Sequence, residues 1–110
     1  MTRTWNVPGV VVYVHDGDTV TLDLDLGWYL TYRQHVRVAH INAPELSTPE
    51  GKVSAAFVIA LLPPGTLVTL NSIGLDKYGR SLGEITLPDG RDLGTIMLSQ
   101  GLAVPYEGHA

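Results

Sequence analysis

Cysteine is absent from the 110-residue sequence. Its absence excludes disulfide bonds, thiolate metal ligands and thiol nucleophiles, and it leaves the redox compartment of the protein open. Any bound metal ion must therefore be held by oxygen atoms or by imidazole nitrogens.

Basic residues are also few, because 7 Lys and Arg stand against 11 Asp and Glu, for a formal net charge of −4 at pH 7. Proteins that bind nucleic acid by broad electrostatic attraction normally present a basic surface. The composition argues against such a surface. Any chemistry on phosphate groups must therefore be confined to one local site.

Long apolar runs are missing as well, since no segment approaches the roughly 20 apolar residues that a membrane-spanning helix needs. Residues 1–8 contain no apolar segment typical of a signal peptide. We therefore expect a cytoplasmic protein with no membrane interaction. The hydrophobic fraction of 45% and the charged fraction of 16% suit one globular domain covering residues 1–110.

The apolar pattern predicts five strands and two helices. Residues 19–26 alternate strictly between apolar and polar side chains, which is typical of a half-buried strand. A helix over 52–62 begins either at a Ser47 capping box with Glu50 or at a Thr48 cap followed by Pro49. The remaining predictions are strands over 10–14, 28–38, 66–73 and 81–87, a short helix over 93–100 begun by Asp92, and an extended tail over 102–110.

This element order fits an α+β domain: a five-stranded barrel with one helix between strands 3 and 4 and a short C-terminal helix. Spacing alone does not distinguish that barrel from an open α+β sheet.

Three polar segments follow predicted strands. They are the carboxylate turn at 16–19, the segment from Arg37 to Glu45, and the loop from Asp76 to Arg80. Arg offers a rigid fork of donors suited to phosphate, and a Glu beyond a strand end can accept a proton or orient water. Each segment alone is better explained by ordinary turn chemistry, whereas the order of all three points to one site.

Together these segments resemble the thermonuclease family, the staphylococcal nuclease-like domains. The matching pieces are Asp16-Gly17-Asp18-Thr19-Val20, Arg37 with Ala43-Pro44-Glu45, Asp76-Lys77-Tyr78-Gly79-Arg80, and Gln100-Gly101-Leu102-Ala103. The resemblance covers residues 10–106. It implies an OB-fold barrel and a calcium-dependent nuclease that hydrolyses phosphodiester bonds of single-stranded or locally melted DNA or RNA.

The resemblance also implies a role for individual positions. Arg37 and Arg80 match the pair that holds the phosphate, and Glu45 matches the residue that acts on the attacking water. The positions that match a site for one Ca²⁺ ion are Asp18, Asn42, the backbone carbonyl of Ala43 and, in support, Asp16. Tyr78 and Tyr106 match aromatic residues beside the bound nucleotide.

Two departures from the family pattern support an alternative function. Asn42 stands where the family usually has an Asp ligand, which removes one negative charge and predicts weaker metal binding. Family members continue into another C-terminal helix, whereas this sequence ends at Ala110, so self-association is one way to cover apolar surface. The alternative is a weak or inactive barrel that binds nucleic acid or protein.

Other chemically capable residues favour structural interpretations. We predict that His15, His35 and His40 are packed or solvated, with His40 on the apolar face of its strand. Asp23 and Asp25 are predicted on the solvated face of a hairpin. Trp5, Trp28 and Tyr29 suit either base stacking or packing at the rim of the core.

Overall fold

The structure is a computed structural model, and it describes residues 5–108. Its strands are β1 (Trp5–Asp16), β2 (Thr19–Asp25), β3 (Thr31–Val38), β4 (Ile41–Asn42), β5 (Leu67–Leu75), β6 (Ser81–Thr86) and β7 (Val104–Pro105). Its helices are α1 (Pro49–Leu61) and α2 (Leu93–Ser99). The five predicted strands and two predicted helices are confirmed, and β4 and β7 are two short additions. Residues 1–4 and 109–110, part of the predicted domain and of the predicted tail, lie outside the described residues.

The five long strands close into a barrel in the order β1-β2-β3-β6-β5. Neighbouring strands are antiparallel except β3 and β6, which pair in parallel. The first strand, β1, pairs with β2 on one side and with β5 on the other, so the five strands form a closed ring without a free edge. The open-sheet alternative is therefore excluded. The predicted OB-fold class, with α1 between β3 and β5, is confirmed.

The alternation of β2 fills the barrel. Val20, Leu22 and Leu24 point inward and are buried. They join a core that also contains Val58 of α1 and Met97 of α2, so both helices cover the barrel through apolar contacts. Burying each such side chain stabilises the fold by about 1.5–3 kcal/mol relative to leaving it exposed.

Helix α1 begins at Thr48, whose hydroxyl oxygen accepts a hydrogen bond from the Gly51 backbone N–H at 3.0 Å. Thr48 is therefore the cap, and the competing Ser47 capping box is not the one used. A Cβ atom at Gly51 would collide with the backbone carbonyl of Glu45. The first turn of the helix thus presses directly against the segment that carries Glu45.

Strand β3 begins at Thr31, and the prediction that it begins at residue 28 is wrong. Trp28 and Tyr29 lie in the β2–β3 turn with φ of 54° and 61°, and their side chains are fully or almost fully exposed. The Leu30 N–H donates to the Gly27 carbonyl at 2.9 Å and closes this turn. Trp28 and Tyr29 are residue types that are common in strands, which is why the sequence predicts that the strand begins here. In the structure they lie in a turn and their side chains face solvent.

Neither helix within residues 5–108 is long and apolar enough to cross a membrane.

Candidate active-site groove

All nine predicted site residues line one groove of about 340 Å³ on the side of the barrel. They come from the end of β1 and the β1–β2 turn, the end of β3, β4 and the segment after it, the β5–β6 loop and the tail after β7. The nine are Asp16, Asp18, Arg37, Asn42, Ala43, Glu45, Tyr78, Arg80 and Tyr106. The fold therefore brings together segments that lie up to 90 positions apart in sequence, from 16 to 106.

Asp18 joins three of these segments. Its side chain is buried, and its Oδ2 atom accepts a hydrogen bond from the Ala43 N–H at 2.7 Å. The same oxygen lies 3.4 Å from Nη2 of Arg37. The other oxygen, Oδ1, accepts a hydrogen bond from the Thr19 hydroxyl at 3.1 Å. Asp18 therefore fixes the β1–β2 turn against β3 and the segment after β4.

Burial raises the pKa of Asp18 to about 6, helped by a hydrogen bond to Asp16 and by the negative charge of Asp16. The Ala43 N–H and the Arg37 guanidinium act in the opposite direction. Burial favours the neutral form of Asp18, whereas the positive charge of Arg37 favours the ionised form. The effect of burial is the larger of the two. Because the carboxyl groups of Asp16 and Asp18 are in contact, a cation bound beside them would favour the ionised form of both.

Arg37 is buried at the end of β3, and its guanidinium is held on two sides. Nη1 donates to the Val38 carbonyl at 2.7 Å, and Nη2 donates to Oδ1 of Asn42 at 3.2 Å. Its Cζ atom lies 5.9 Å from the centre of the Tyr106 ring, within cation–π range. The positive charge therefore has a fixed position in the wall of the groove.

Arg80 is positioned by Asp76, a residue to which the sequence analysis assigned no role. The Asp76 Oδ1 atom accepts the backbone N–H groups of Tyr78 and Arg80, each at 2.9 Å. Its Oδ2 atom accepts from Nε of Arg80 at 2.6 Å. The signal was present in the sequence, because an Asp before a Tyr-Gly-Arg turn commonly bonds the backbone two residues on.

The Asp76 side chain is only 3% exposed. Burial alone raises the pKa of this carboxyl, but the hydrogen bonds from Arg80 and Tyr78 and the positive charge of Arg80 outweigh it, so the net pKa is lowered. The carboxylate therefore stays ionised and keeps its hold on Arg80.

Glu45 lies exposed at the mouth of the groove. Its backbone carbonyl accepts from both the N–H and the hydroxyl of Thr48, at 3.0 and 2.7 Å, which ties the segment to the start of α1. Within residues 5–108 its carboxylate makes no hydrogen bond or ion pair. The group is therefore held by its backbone while its side chain can accept a proton from water.

The donor set fits a hard cation that prefers oxygen. Asp16 and Asp18 supply carboxylates, Asn42 an amide oxygen and Ala43 a backbone carbonyl, which are the ligand types that calcium takes. In the part of the chain that the structure describes, no group of three or more His, Asp or Glu side chains is arranged to hold a metal ion. These residues therefore suit a metal site of low negative charge, in which oxygens of water or of a bound molecule would complete the coordination of the ion.

The three histidines within residues 5–108, His15, His35 and His40, lie outside the groove. His15 and His35 both form a hydrogen bond with the hydroxyl of the buried Thr21, at 2.9 and 2.8 Å. Burial and the nearby His35 lower the pKa of His15. The prediction that His40 lies on an apolar strand face is wrong, because His40 sits in the β3–β4 turn with φ of 70° and contacts Glu107.

The closed barrel and this groove place the protein in the class of OB-fold domains with arginines and carboxylates gathered at one surface site. Residues 35–110 match the family described as Staphylococcal nuclease homologue, and the chain belongs to this family.

Two proteins named as endonucleases are similar in sequence to most of this chain. An uncharacterized endonuclease of Escherichia coli O157:H7 is 34% identical over 104 residues, which cover 93% of this chain and 63% of that protein. Endonuclease YhcR of Bacillus subtilis (strain 168) is 30% identical over 112 residues, which cover 89% of this chain and 9% of that protein. The chain thus spans less than two thirds of the first relative and a small part of the second.

Proposed function

We propose that this protein is a calcium-dependent nuclease that hydrolyses phosphodiester bonds of DNA and RNA. The observation that carries the proposal is that Arg37, Arg80 and Glu45 line the same groove as the buried carboxylate Asp18. The endonuclease names of the E. coli and B. subtilis relatives support the same reaction class.

The two arginines would stabilise the phosphate. A phosphodiester gathers negative charge on its equatorial oxygens in the transition state, and donors already in place need not reorganise at that moment. Arg37 is held by Val38 and Asn42, and Arg80 is held by Asp76. Their positions are therefore set before substrate arrives.

Glu45 would activate the water. Its carboxylate takes a proton from water as the water oxygen bonds to phosphorus and the bond from phosphorus to the leaving oxygen breaks, and the leaving oxygen takes a proton from solvent to become a free hydroxyl. General-base catalysis of this kind contributes about 10²- to 10⁴-fold in rate. The free carboxylate at the groove mouth suits this role, since a carboxylate already paired with Arg or Lys would be a poorer base.

Asp18, Asn42 and the Ala43 carbonyl, with Asp16 in support, would hold one Ca²⁺ ion. When bound, the ion supplies Lewis-acid stabilisation of the phosphoryl oxygens. Asn42 offers its oxygen to Arg37 at 3.2 Å, so calcium and Arg37 would share this amide oxygen.

Single-stranded or locally melted nucleic acid is the substrate that the groove suits best. Tyr78 lies beside Arg80 and Tyr106 beside Arg37, with ring centres 5.6 and 5.9 Å from the guanidinium carbons. Bases that are not paired can stack on such rings. The net charge of −4 predicts weak capture of nucleic acid, which added salt weakens further. Cytoplasmic location and self-association stay predictions.

A calcium titration tests the proposal. Cleavage of a single-stranded oligonucleotide and the melting temperature of the protein are followed in the same samples. We expect cleavage to appear as calcium stabilises the fold, because a ligand of the native state raises its stability. Absence of cleavage at millimolar calcium would contradict the proposal.

A second function, binding without catalysis, is favoured by Asn42, which gives the metal site one carboxylate fewer than the family pattern. In that case calcium leaves the melting temperature unchanged while the oligonucleotide still binds. A rise in melting temperature without cleavage would instead indicate a metal-binding module.

A further inference from the structure

The tail after α2 crosses the edge of the groove as a strap, residues 104–108. Its strand β7 pairs with β4 through two residue pairs, Ile41 with Pro105 and Asn42 with Val104. Pro105 has no backbone N–H and cannot donate to this pairing. So short a two-stranded sheet is marginal by itself, and the strap needs other contacts to stay in place.

His40 supplies those contacts with two different groups. Its backbone carbonyl accepts from the Tyr106 N–H at 2.9 Å. Its ring atom Nδ1 lies 3.0 Å from each carboxylate oxygen of Glu107. Because a carboxylate only accepts hydrogen bonds, Nδ1 carries the proton in this contact.

The conformation of His40 makes both contacts possible. With φ of 70°, the residue adopts the left-handed conformation that few non-glycine residues take. On its other side, Nε2 lies 3.9 Å from Oε2 of Glu84, whose Oε1 atom accepts from the Asn71 amide at 2.9 Å. The ring is thus set between Glu84 of the barrel and Glu107 of the strap.

Tyr106 is the residue that these contacts position. In sequence it lies between Pro105, which pairs with Ile41, and Glu107, which contacts His40. Its hydroxyl donates to the Gly108 carbonyl at 3.1 Å. Its ring is half-buried and faces the Arg37 guanidinium. Release of the strap would therefore move this ring away from the phosphate-holding wall of the groove.

We propose that His40 and Glu107 are positioning residues that clasp the strap and hold Tyr106 against the groove for the nucleotide next to the scissile phosphate. This inference rests on the proposed nuclease function. Neither residue lines the groove as a reacting group; both act through Tyr106.

If Glu107 acted only through its charge, its removal would change substrate capture in the opposite direction to the one that the clasp predicts. A negative charge near a phosphate-binding groove repels the substrate, so its removal should improve capture. The clasp predicts that Glu107→Ala weakens capture, because the strap loses its side-chain tether. Glu107→Gln separates the two effects, since glutamine loses the charge but keeps an oxygen that accepts from Nδ1 of His40.

The test compares Glu107→Ala, Glu107→Gln and Tyr106→Ala with the wild-type chain. Asp89→Ala is the matched control, because it removes the same charge from an exposed turn that does not line the groove. Steady-state cleavage of a single-stranded oligonucleotide gives KM and kcat separately. Hydrogen exchange of the backbone N–H groups of residues 104, 106 and 107 reports the strap without any need for activity.

We expect Glu107→Ala to raise KM about threefold to tenfold, as for partial loss of one stacking contact, with kcat nearly unchanged and faster exchange in the strap. Glu107→Gln should restore KM to the wild-type value or below it. The double variant Glu107→Ala with Tyr106→Ala should be no worse than Tyr106→Ala alone.

Two results would overturn the clasp. One is a lower KM in both Glu107 variants, which means that charge governs the effect. The other is unchanged exchange of the strap in Glu107→Ala. If the wild-type protein does not cleave at all, the nuclease proposal fails, whereas the exchange measurement still decides the clasp.

Discussion

Replacing Asn42 with aspartate changes the charge of the groove at the position where the family resemblance predicts an aspartate. Oδ1 of Asn42 already accepts from Nη2 of Arg37 at 3.2 Å. Aspartate has nearly the same shape, so the substitution adds one negative charge with little change in packing. The added charge would face both Arg37 and the proposed calcium site.

The size of the effect follows from Coulomb's law. Two unit charges about 4 Å apart interact by about 1 kcal/mol in water and about 4 kcal/mol near a protein surface, and a divalent ion doubles this. Repulsion from Asp16 and Asp18 and the loss of hydration oppose the gain. We take about 1.4 kcal/mol as the net effect, which corresponds to a tenfold rise in calcium affinity.

The assay is the melting temperature with and without calcium. At calcium concentrations well above the dissociation constant, a tenfold tighter site adds about 1.4 kcal/mol to the stability of the folded state. For a domain of this size the calcium-dependent rise should grow by about 5 °C. Asn6→Asp, which makes the same chemical change on the exposed part of β1, is the control.

An equal calcium response in Asn42→Asp and Asn6→Asp would contradict a calcium site beside Asn42. It would mean that calcium does not bind beside Asn42, and the ligand set proposed for the ion would be wrong.

Three further predictions concern the residues that support the groove. Asp76→Asn should weaken cleavage and flatten the acid dependence of stability. The pKa of Asp76 is lowered in the folded protein, so its stabilising contribution is present above the unfolded pKa and is lost as the pH falls through the lower, folded pKa. Melting curves from pH 7 to pH 2 would show this loss in the wild-type protein and its absence in the variant. Gly51→Ala should destabilise the protein by about 1–3 kcal/mol, because the new methyl group meets the Glu45 carbonyl; chemical denaturation measures this, and an unchanged midpoint would contradict the contact. Trp28→Asn should stabilise the protein by up to about 1 kcal/mol, because asparagine tolerates the φ of 54° better, and a loss of oligonucleotide binding in this variant would instead identify Trp28 as a stacking residue.

Much of the barrel could be predicted because its strands follow simple rules. The alternation of β2 placed Leu22 in the core, and the cap at Thr48 placed the start of α1. The motif order also placed Asp18 and Arg37 on elements that the fold brings to one groove. These are local patterns, each contained in a few neighbouring residues.

Other features depend on contacts between distant segments. Nothing near Trp28 in sequence shows that its turn projects into solvent, and nothing near His40 shows that Glu107 lies opposite it across 67 positions. The closure of β1 onto β5 likewise depends on the whole barrel. Such features follow from tertiary packing, which overrides local preference.

The nuclease assignment is tested most directly by cleavage of a labelled single-stranded oligonucleotide in millimolar calcium. The wild-type protein is compared with Glu45→Gln, and melting temperature and oligonucleotide binding are measured alongside. The wild-type protein should cleave, and Glu45→Gln should cleave about 10²- to 10⁴-fold more slowly while it folds and binds as the wild-type protein does. Equal cleavage rates for the two proteins would contradict the assignment of this groove as the hydrolytic site.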